Sequence, residues 1–171
     1  MKLKEDFFHR DCLEVAPDLI GKVLVRVLDD ASEIRVRITE TESYRGEEDT
    51  ACHASKGRTP RTEILYGDSG KIYVYLCYGI HWLMNVVTGE NEFPQAVLFR
   101  CGERFNGPAK LTKALEIDKS FNGESFIENE RIWIEDDGYV AKIKTAPRVG
   151  INYATEEYRV KQWRFIDKNL K

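Results

Sequence analysis

Apolar residues recur along this chain in two rhythms. Over residues 6–20, Phe7, Phe8, Cys12, Val15 and Leu19 fall on one side of a helix, with Pro17 near its end. From LIGKVLVRVL onward the rhythm shortens to two. That run predicts a strand, DDAS a turn, and EIRVRITETESY a partner strand. TPRTEILYG predicts a short helix, with Thr59 as N-cap and Pro60 at the first position. KIYVYLCYGIHWLMN, residues 71–85, predicts two strands joined at Tyr78-Gly79, and QAVLFRC a further strand. GPAKLTKALEI predicts a helix, because Leu111, Ala114, Leu115 and Ile117 share a face. RIWIE and several short strands follow. Strands outnumber helices and hairpins join them, so the pattern predicts an α+β fold with a mostly antiparallel sheet. With no repeat, low-complexity tract or linker, residues 1–171 read as one domain.

The alternation carries an anomaly. In IRVRITETESYRG, Ile34, Val36 and Ile38 share one strand face and Arg35, Arg37 and Thr39 the other. Continued at the same parity, the apolar face meets Glu40, Glu42 and Tyr44. A lone carboxylate does not remain charged in a dry core, so these acids line a cleft with partners, or a β-bulge near Thr39 turns them to water. Parity alone does not choose between the two. Asn85 in LMNVV and Arg100 in AVLFRC are further polar residues inside apolar strands. Each alone reads as structural; with Glu40 and Glu42 they point to a polar pocket.

Composition adjusts this picture only slightly. Hydrophobic residues at 42% and charged residues at 32% exclude a disordered chain. No apolar stretch approaches a membrane span, and MKLKEDFFHRD lacks the apolar block of a secretory signal, so a cytoplasmic protein is expected. Cys12, Cys52, Cys77 and Cys101 form no CxxC pair and read as free thiols. Asp49 and His53 are a weak suggestion of metal ligands, and no metal or other cofactor is expected. His81 reads as an ordinary strand residue. A net charge of −3 gives no global attraction to polyanions, so nucleic-acid binding requires a local basic patch. Arg58, Arg61 and Lys71 bracket the aromatic hairpin, with Lys110 and Lys113 on the later helix. Cations beside exposed aromatics suit phosphate contact with base stacking. A solvated charged face is the plainer alternative. Together these features suggest a nucleotide or sugar substrate without specifying it.

The motifs APDLIGKVLVR, TETESYRGEEDTACHASKGRTPR, YVYLCYGIHWLMNVVTG, AVLFRCGE, NGPAKLTKAL and PRVGI, in that order, resemble the alkyladenine DNA glycosylase family, the 3-methyladenine DNA glycosylases with a hairpin wedge. The resemblance implies a curved sheet with flanking helices and a protruding hairpin. It also implies removal of alkylated or deaminated purines from double-stranded DNA by a monomeric enzyme, associated with the nucleoid in a bacterium. Carried over by position, Glu42 is the general base, and Arg100 lies near the water and the sugar-phosphate. Tyr44, His53 and Tyr75 form the base pocket, Asn85 disfavours undamaged guanine, and Tyr78 is the intercalating wedge. Glu40 has no comparable family role and reads as structural. Arg58, Arg61, Lys71 and Lys110 are the expected DNA-backbone contacts. Ser43 in place of the usual alanine, Thr62 in place of asparagine, the short loop after Arg100 and the VKQWRF tail depart from the family pattern. Two rivals remain: an N-glycoside hydrolase for RNA or free nucleosides, and a non-catalytic binder of distorted DNA.

Overall fold

Period-two alternation becomes an antiparallel sheet in the computed structural model, which describes residues 1–170. In chain order the elements are α1 (Glu5–Phe8), α2 (Cys12–Leu19), β1 (Val23–Val27), β2 (Glu33–Arg45), β3 (Ile72–Cys77), β4 (His81–Val87) and β5 (Gln95–Gly102). They continue with β6 (Phe105–Asn106), α3 (Pro108–Ala114), β7 (Ile132–Glu135), β8 (Ile143–Ala146), α4 (Glu156–Arg159) and β9 (Arg164–Asp167). The α+β class is as the pattern predicts. The curved sheet runs β3-β4-β5-β2-β1-β7, with β6 added to β5, β9 to β2 and β8 to β9. β2 is its hub: residues 33–37 pair with β1, and residues from Ile38 onward pair with β5 and β9.

The two faces of the sheet have different coverings. One carries Val36, Ile38, Ile72, Val74, Met84, Val86, Val97 and Phe99 against Phe8, the apolar side of α2, and Leu111 and Leu115. The other carries Tyr73, Val87 and Ala96 against Cys52, Ala54, Leu65 and Tyr66, with Tyr44 and Tyr75 packed beside them. The site described below lies on this second face.

Three local expectations are corrected. The single helix over 6–20 is two helices, interrupted at His9–Asp11. Asp11 accepts the Leu13 N–H at 2.9 Å and Gln95 Oε1 accepts the Cys12 N–H at 2.7 Å, so two donors that begin α2 are satisfied. The TPRTEILYG segment is a 3₁₀ turn, Glu63–Tyr66, rather than an α-helix. Thr62 rather than Thr59 immediately precedes it; the Thr59 hydroxyl accepts the Thr62 N–H at 3.2 Å and the Thr62 hydroxyl accepts the Thr59 N–H at 2.8 Å. The GPAKLTKALEI helix ends at Ala114.

The anomaly in β2 resolves at a pair of irregularities. Ile38 faces Gly102, Glu40 faces Cys101 and Thr41 faces Phe99. Thr39 is therefore extra on β2, and Arg100 is extra on β5. The two offsets cancel in register, yet they exchange the faces of the strands. Past them, Thr41 and Ser43 lie under α2, donating to the carbonyls of Ala16 (2.9 Å) and Cys12 (2.8 Å). Glu40, Glu42 and Tyr44 turn to the other face. There is a bulge at Thr39, as one alternative held, but it does not turn the acids to open water; Glu42 is fully buried and Glu40 mostly so. Ser43, a departure from the family pattern, spends its hydroxyl on α2.

The cysteines are free thiols: Cys12, Cys52 and Cys101 are buried and Cys77 half-buried. No helix among the described residues is long and apolar enough to cross a membrane.

Asp11 caps α2 and also ion-pairs with Arg45 at 2.7 Å. The Asp11→Ala variant is expected to lose about 1–2 kcal/mol, the upper range for a lost cap. Urea denaturation measures this, and an unchanged midpoint would contradict it.

Candidate active site

A cavity of about 590 Å³ opens on the second face of the sheet, within the range of small-molecule sites. Tyr44 from β2, His53 from the loop after it, Tyr75 and Tyr78 from the hairpin, Asn85 from β4 and Arg100 from β5 all line it. Its walls are largely aromatic. The His53 and Tyr75 rings meet edge to face at 4.5 Å between centroids. Tyr73 lies deeper and is buried, and its hydroxyl bonds His53 Nδ1 at 2.8 Å. Burial, together with Arg61 and Lys56, lowers the His53 pKa to about 4, so the ring is neutral near pH 7. Asn85 is buried, and its Nδ2 donates to the Tyr73 carbonyl at 3.2 Å. That bond fixes the amide's orientation from behind.

Glu42 lies fully buried beside this cavity. One carboxylate oxygen, Oε2, accepts the Val149 N–H at 3.0 Å. The other, Oε1, has no hydrogen-bond donor among the described residues, and Arg100 Nη1 lies 3.2 Å away as an ion pair. Burial raises the Glu42 pKa, opposed by Arg100, the Val149 N–H and Arg148. The result is a carboxylate with one oxygen anchored and one held ready by a single cation. Such a group suits proton abstraction from a small molecule and stabilisation of a nearby positive charge. Glu40 is paired on both sides, with Arg100 Nε at 3.3 Å and Arg164 Nη1 at 3.1 Å.

Sequence reasoning missed the groups that hold this constellation in place. Arg148 and Asp49 are both fully buried and form a two-pronged ion pair, at 2.6 and 2.9 Å. Asp49 also accepts the N–H groups of Arg45 and Ala51, each at 3.0 Å. Those four bonds occupy a carboxylate that the sequence weakly suggests as a metal ligand. Arg148 further donates to the carbonyls of Ser43 and Tyr158, and its guanidinium lies 4.8 Å from the Tyr44 ring centroid and 5.0 Å from that of Trp163. The segment following it supplies Val149, Ile151 and Tyr153 to the cavity wall. PRVGI is a recognisable motif, but nothing in its spacing reveals a partner a hundred residues earlier.

The hairpin tip places Tyr78 at φ +53° and Gly79 at φ +70°, a left-handed pair that suits glycine and strains tyrosine. Tyr78, at the cavity mouth, is 88% exposed, and Ile80 two residues on is 70% exposed. Arg61 also lines the cavity, its guanidinium 5.4 Å from the Tyr75 ring, and Lys110 follows Pro108 and Ala109 of the rim. The other two cations of the expected cluster have different surroundings. Arg58 is engaged by Glu63 at 2.7 Å and by Glu92. Lys71 precedes β3 at the end remote from the tip, its backbone bridged to that of Ser125. His81, read as an ordinary strand residue, begins β4 and touches the cavity.

The chain matches the family model for methylpurine-DNA glycosylase (MPG) over residues 6–106 and 103–171. It is 42% identical over 187 aligned positions to a protein of Methanocella arvoryzae, covering 98% of this chain and 92% of that one. It is 43% identical over 189 positions to a protein of Natranaerobius thermophilus, covering 96% and 94%. Both relatives carry the name "Putative 3-methyladenine DNA glycosylase". The chain belongs to the methylpurine-DNA glycosylase family.

The depressed pKa of His53 yields a signed pH dependence. The folded value lies below that of the free side chain, about 6.5, so this contribution to stability is complete above pH 6.5. It is lost as pH falls towards 4. A His53→Gln variant is expected to show a flatter stability profile across that window than the parent. NMR titration of the ring should give a midpoint near 4; a midpoint above 6 would contradict the burial argument.

Proposed function

We propose that this member of the methylpurine-DNA glycosylase family is a monofunctional enzyme that extrudes alkylated or deaminated purines from duplex DNA. The substrates are of the 3-methyladenine, 7-methylguanine and hypoxanthine class, and hydrolysis of the N-glycosidic bond leaves an abasic site. The observation that carries the reading is Glu42: fully buried beside an aromatic cavity, with one oxygen bonded and the other free of hydrogen-bond donors among the described residues.

A base within a duplex is out of reach of any such carboxylate, so extrusion must come first, at a cost of a few kcal/mol that damage reduces. Tyr78 enters the gap and offsets part of this cost, since stacking on a base is worth about 1–3 kcal/mol. The extruded purine lies among Tyr44, Tyr75 and neutral His53, with Asn85 against its edge. Its sugar is then next to Glu42 and Arg100. Bond cleavage develops positive charge on the sugar, as in glycoside hydrolysis. The Glu42 carboxylate stabilises that charge and takes a proton from the attacking water. Arg100 keeps the carboxylate in place and faces the phosphate side. No lysine among the described residues lines the cavity, which favours water over an amine as the nucleophile. Arg61 and Lys110 are the first candidates for backbone contact. Arg58, already committed to two carboxylates, contributes less.

The Glu42→Gln variant is expected to keep the fold and the affinity for damaged duplex while losing base release by at least about a hundredfold, the lower bound of general-base effects. The assay compares damaged duplex, matched RNA and free nucleoside. Release from nucleoside at the duplex rate would favour the rival hydrolase, and near-normal release by the variant would remove Glu42 from the mechanism.

Tyr78, almost wholly exposed, offers the fold little packing. Tyr78→Ala should leave the thermal midpoint unchanged and weaken binding of damaged duplex by about 1–3 kcal/mol. The effect should be smaller on single strands, where no stack is held open. Loss of the fold with unaltered duplex affinity per folded molecule would make Tyr78 a core residue.

A further inference from the structure

Arg100 is shared. Its Nε lies 3.3 Å from Glu40 Oε1, and its Nη1 lies 3.2 Å from Glu42 Oε1. The same Glu40 oxygen meets Arg164 Nη1 at 3.1 Å, and Arg164 Nε donates to the Pro147 carbonyl at 2.8 Å. Arg164 is the register partner of Glu42 across β2 and β9, yet its guanidinium reaches past Glu42 to Glu40. Charges therefore alternate along one row: Arg164, Glu40, Arg100, Glu42. All are at least three-quarters removed from solvent, with side-chain exposures of 24%, 13%, 18% and 0%. Water screens such a row poorly.

We propose that Glu40, steadied by Arg164, is a positioning residue that divides Arg100 between two carboxylates and thereby governs how firmly Arg100 holds Glu42. The proposal rests on the reading of Glu42 as the general base. A guanidinium given wholly to Glu42 would grip it with two parallel bonds, the strongest geometry for this pair. That grip would occupy the oxygen meant for water and weaken the base. With Nε committed to Glu40, Glu42 receives one contact instead of two. Arg164 prevents the opposite excess: without it, Glu40 would draw Arg100 away and leave Glu42 without its cation.

The other groups facing Glu42 are Arg148 from the segment after β8, Tyr75 from β3, Tyr153, and Tyr44 on its own strand. Arg148 is already balanced by Asp49. The tyrosines stay neutral, because burial raises each of their pKa values. The Glu40–Arg164 pair is thus the adjustable part of the field. Glu40 raises the Glu42 pKa and Arg100 lowers it. Removing one charge at a time should move Glu42 in opposite directions.

The experiment compares the parent with Glu40→Gln and Arg164→Gln. One readout is the ¹³C titration of the Glu42 carboxyl in the free protein. The second is the pH at which base release from damaged duplex is half-maximal. Glu40→Gln should shift both midpoints down by at least about half a unit, roughly a threefold change in proton affinity. Arg164→Gln should shift both up. A merely structural role would lower activity equally at every pH and leave the carboxyl midpoint in place, which overturns the proposal, as would shifts of the same sign. Opposite carboxyl shifts with a stationary activity profile would uphold the division of Arg100 and discard Glu42 as the base. If Glu40→Gln does not fold, Arg164→Gln decides alone: an upward carboxyl shift supports the proposal and a stationary midpoint overturns it.

Discussion

The ion pair between Arg148 and Asp49 ties together parts of the chain that no sheet hydrogen bond joins. Removing two charges from water costs several kcal/mol for each ion, and only close geometry with every lone pair satisfied offsets it. Here Asp49 receives four donors, and Arg148 adds two backbone carbonyls to its carboxylate, leaving its Nε the one donor of the pair with no partner among the described residues. The segment carrying His53 is thereby bound to the segment carrying Val149, whose N–H anchors Glu42. Leaving either partner unmatched would cost about 3–5 kcal/mol, a large share of the 5–15 kcal/mol available to a typical domain. Loops this rigidly pinned can present side chains as accurately as strands do.

The paired irregularities in β2 and β5 complement that clamp. A regular ladder would continue the face of Val36 and Ile38 straight into Glu40 and Glu42, placing two acids under α2. One extra residue on each strand exchanges the faces without changing register. Hydroxyls then go beneath the helix, where its carbonyls accept from them, and carboxylates go to the opposite face, where Arg100 and Arg164 pair with them. Arg100 is itself the extra residue of its strand, so the offset that admits the acids also delivers their cation. Bulges beside functional sites commonly re-aim side chains in this way.

Much of this was legible in the sequence because alternation is a local property. β2 was expected over 33–44 and spans 33–45; β5 was expected over 95–101 and spans 95–102. The hairpin tip at Tyr78-Gly79 was legible from turn chemistry. The break between α1 and α2 was not, because Phe8 and Cys12 are four residues apart and the helical period runs through the cap undisturbed. Compensating offsets leave no trace in spacing either, which is why parity could not choose between cleft and bulge. Long-range pairing was the least legible. Asp49 precedes Arg148 by 99 residues, and Glu92, which with Glu63 engages Arg58, comes from a separate loop.

The buried thiols bear on survival in a hostile chemical setting. Only the thiolate is an effective nucleophile, and burial raises the pKa of Cys12, takes Cys52 to about 12 and takes Cys101 to about 11. Three of the four sulfurs therefore remain protonated and screened at neutral pH, leaving half-buried Cys77 as the one within solvent's reach. Reagents that methylate purines also seek out sulfur. In a member of a DNA glycosylase family, three of the four thiols are thereby kept out of the way of the same electrophiles that scar DNA.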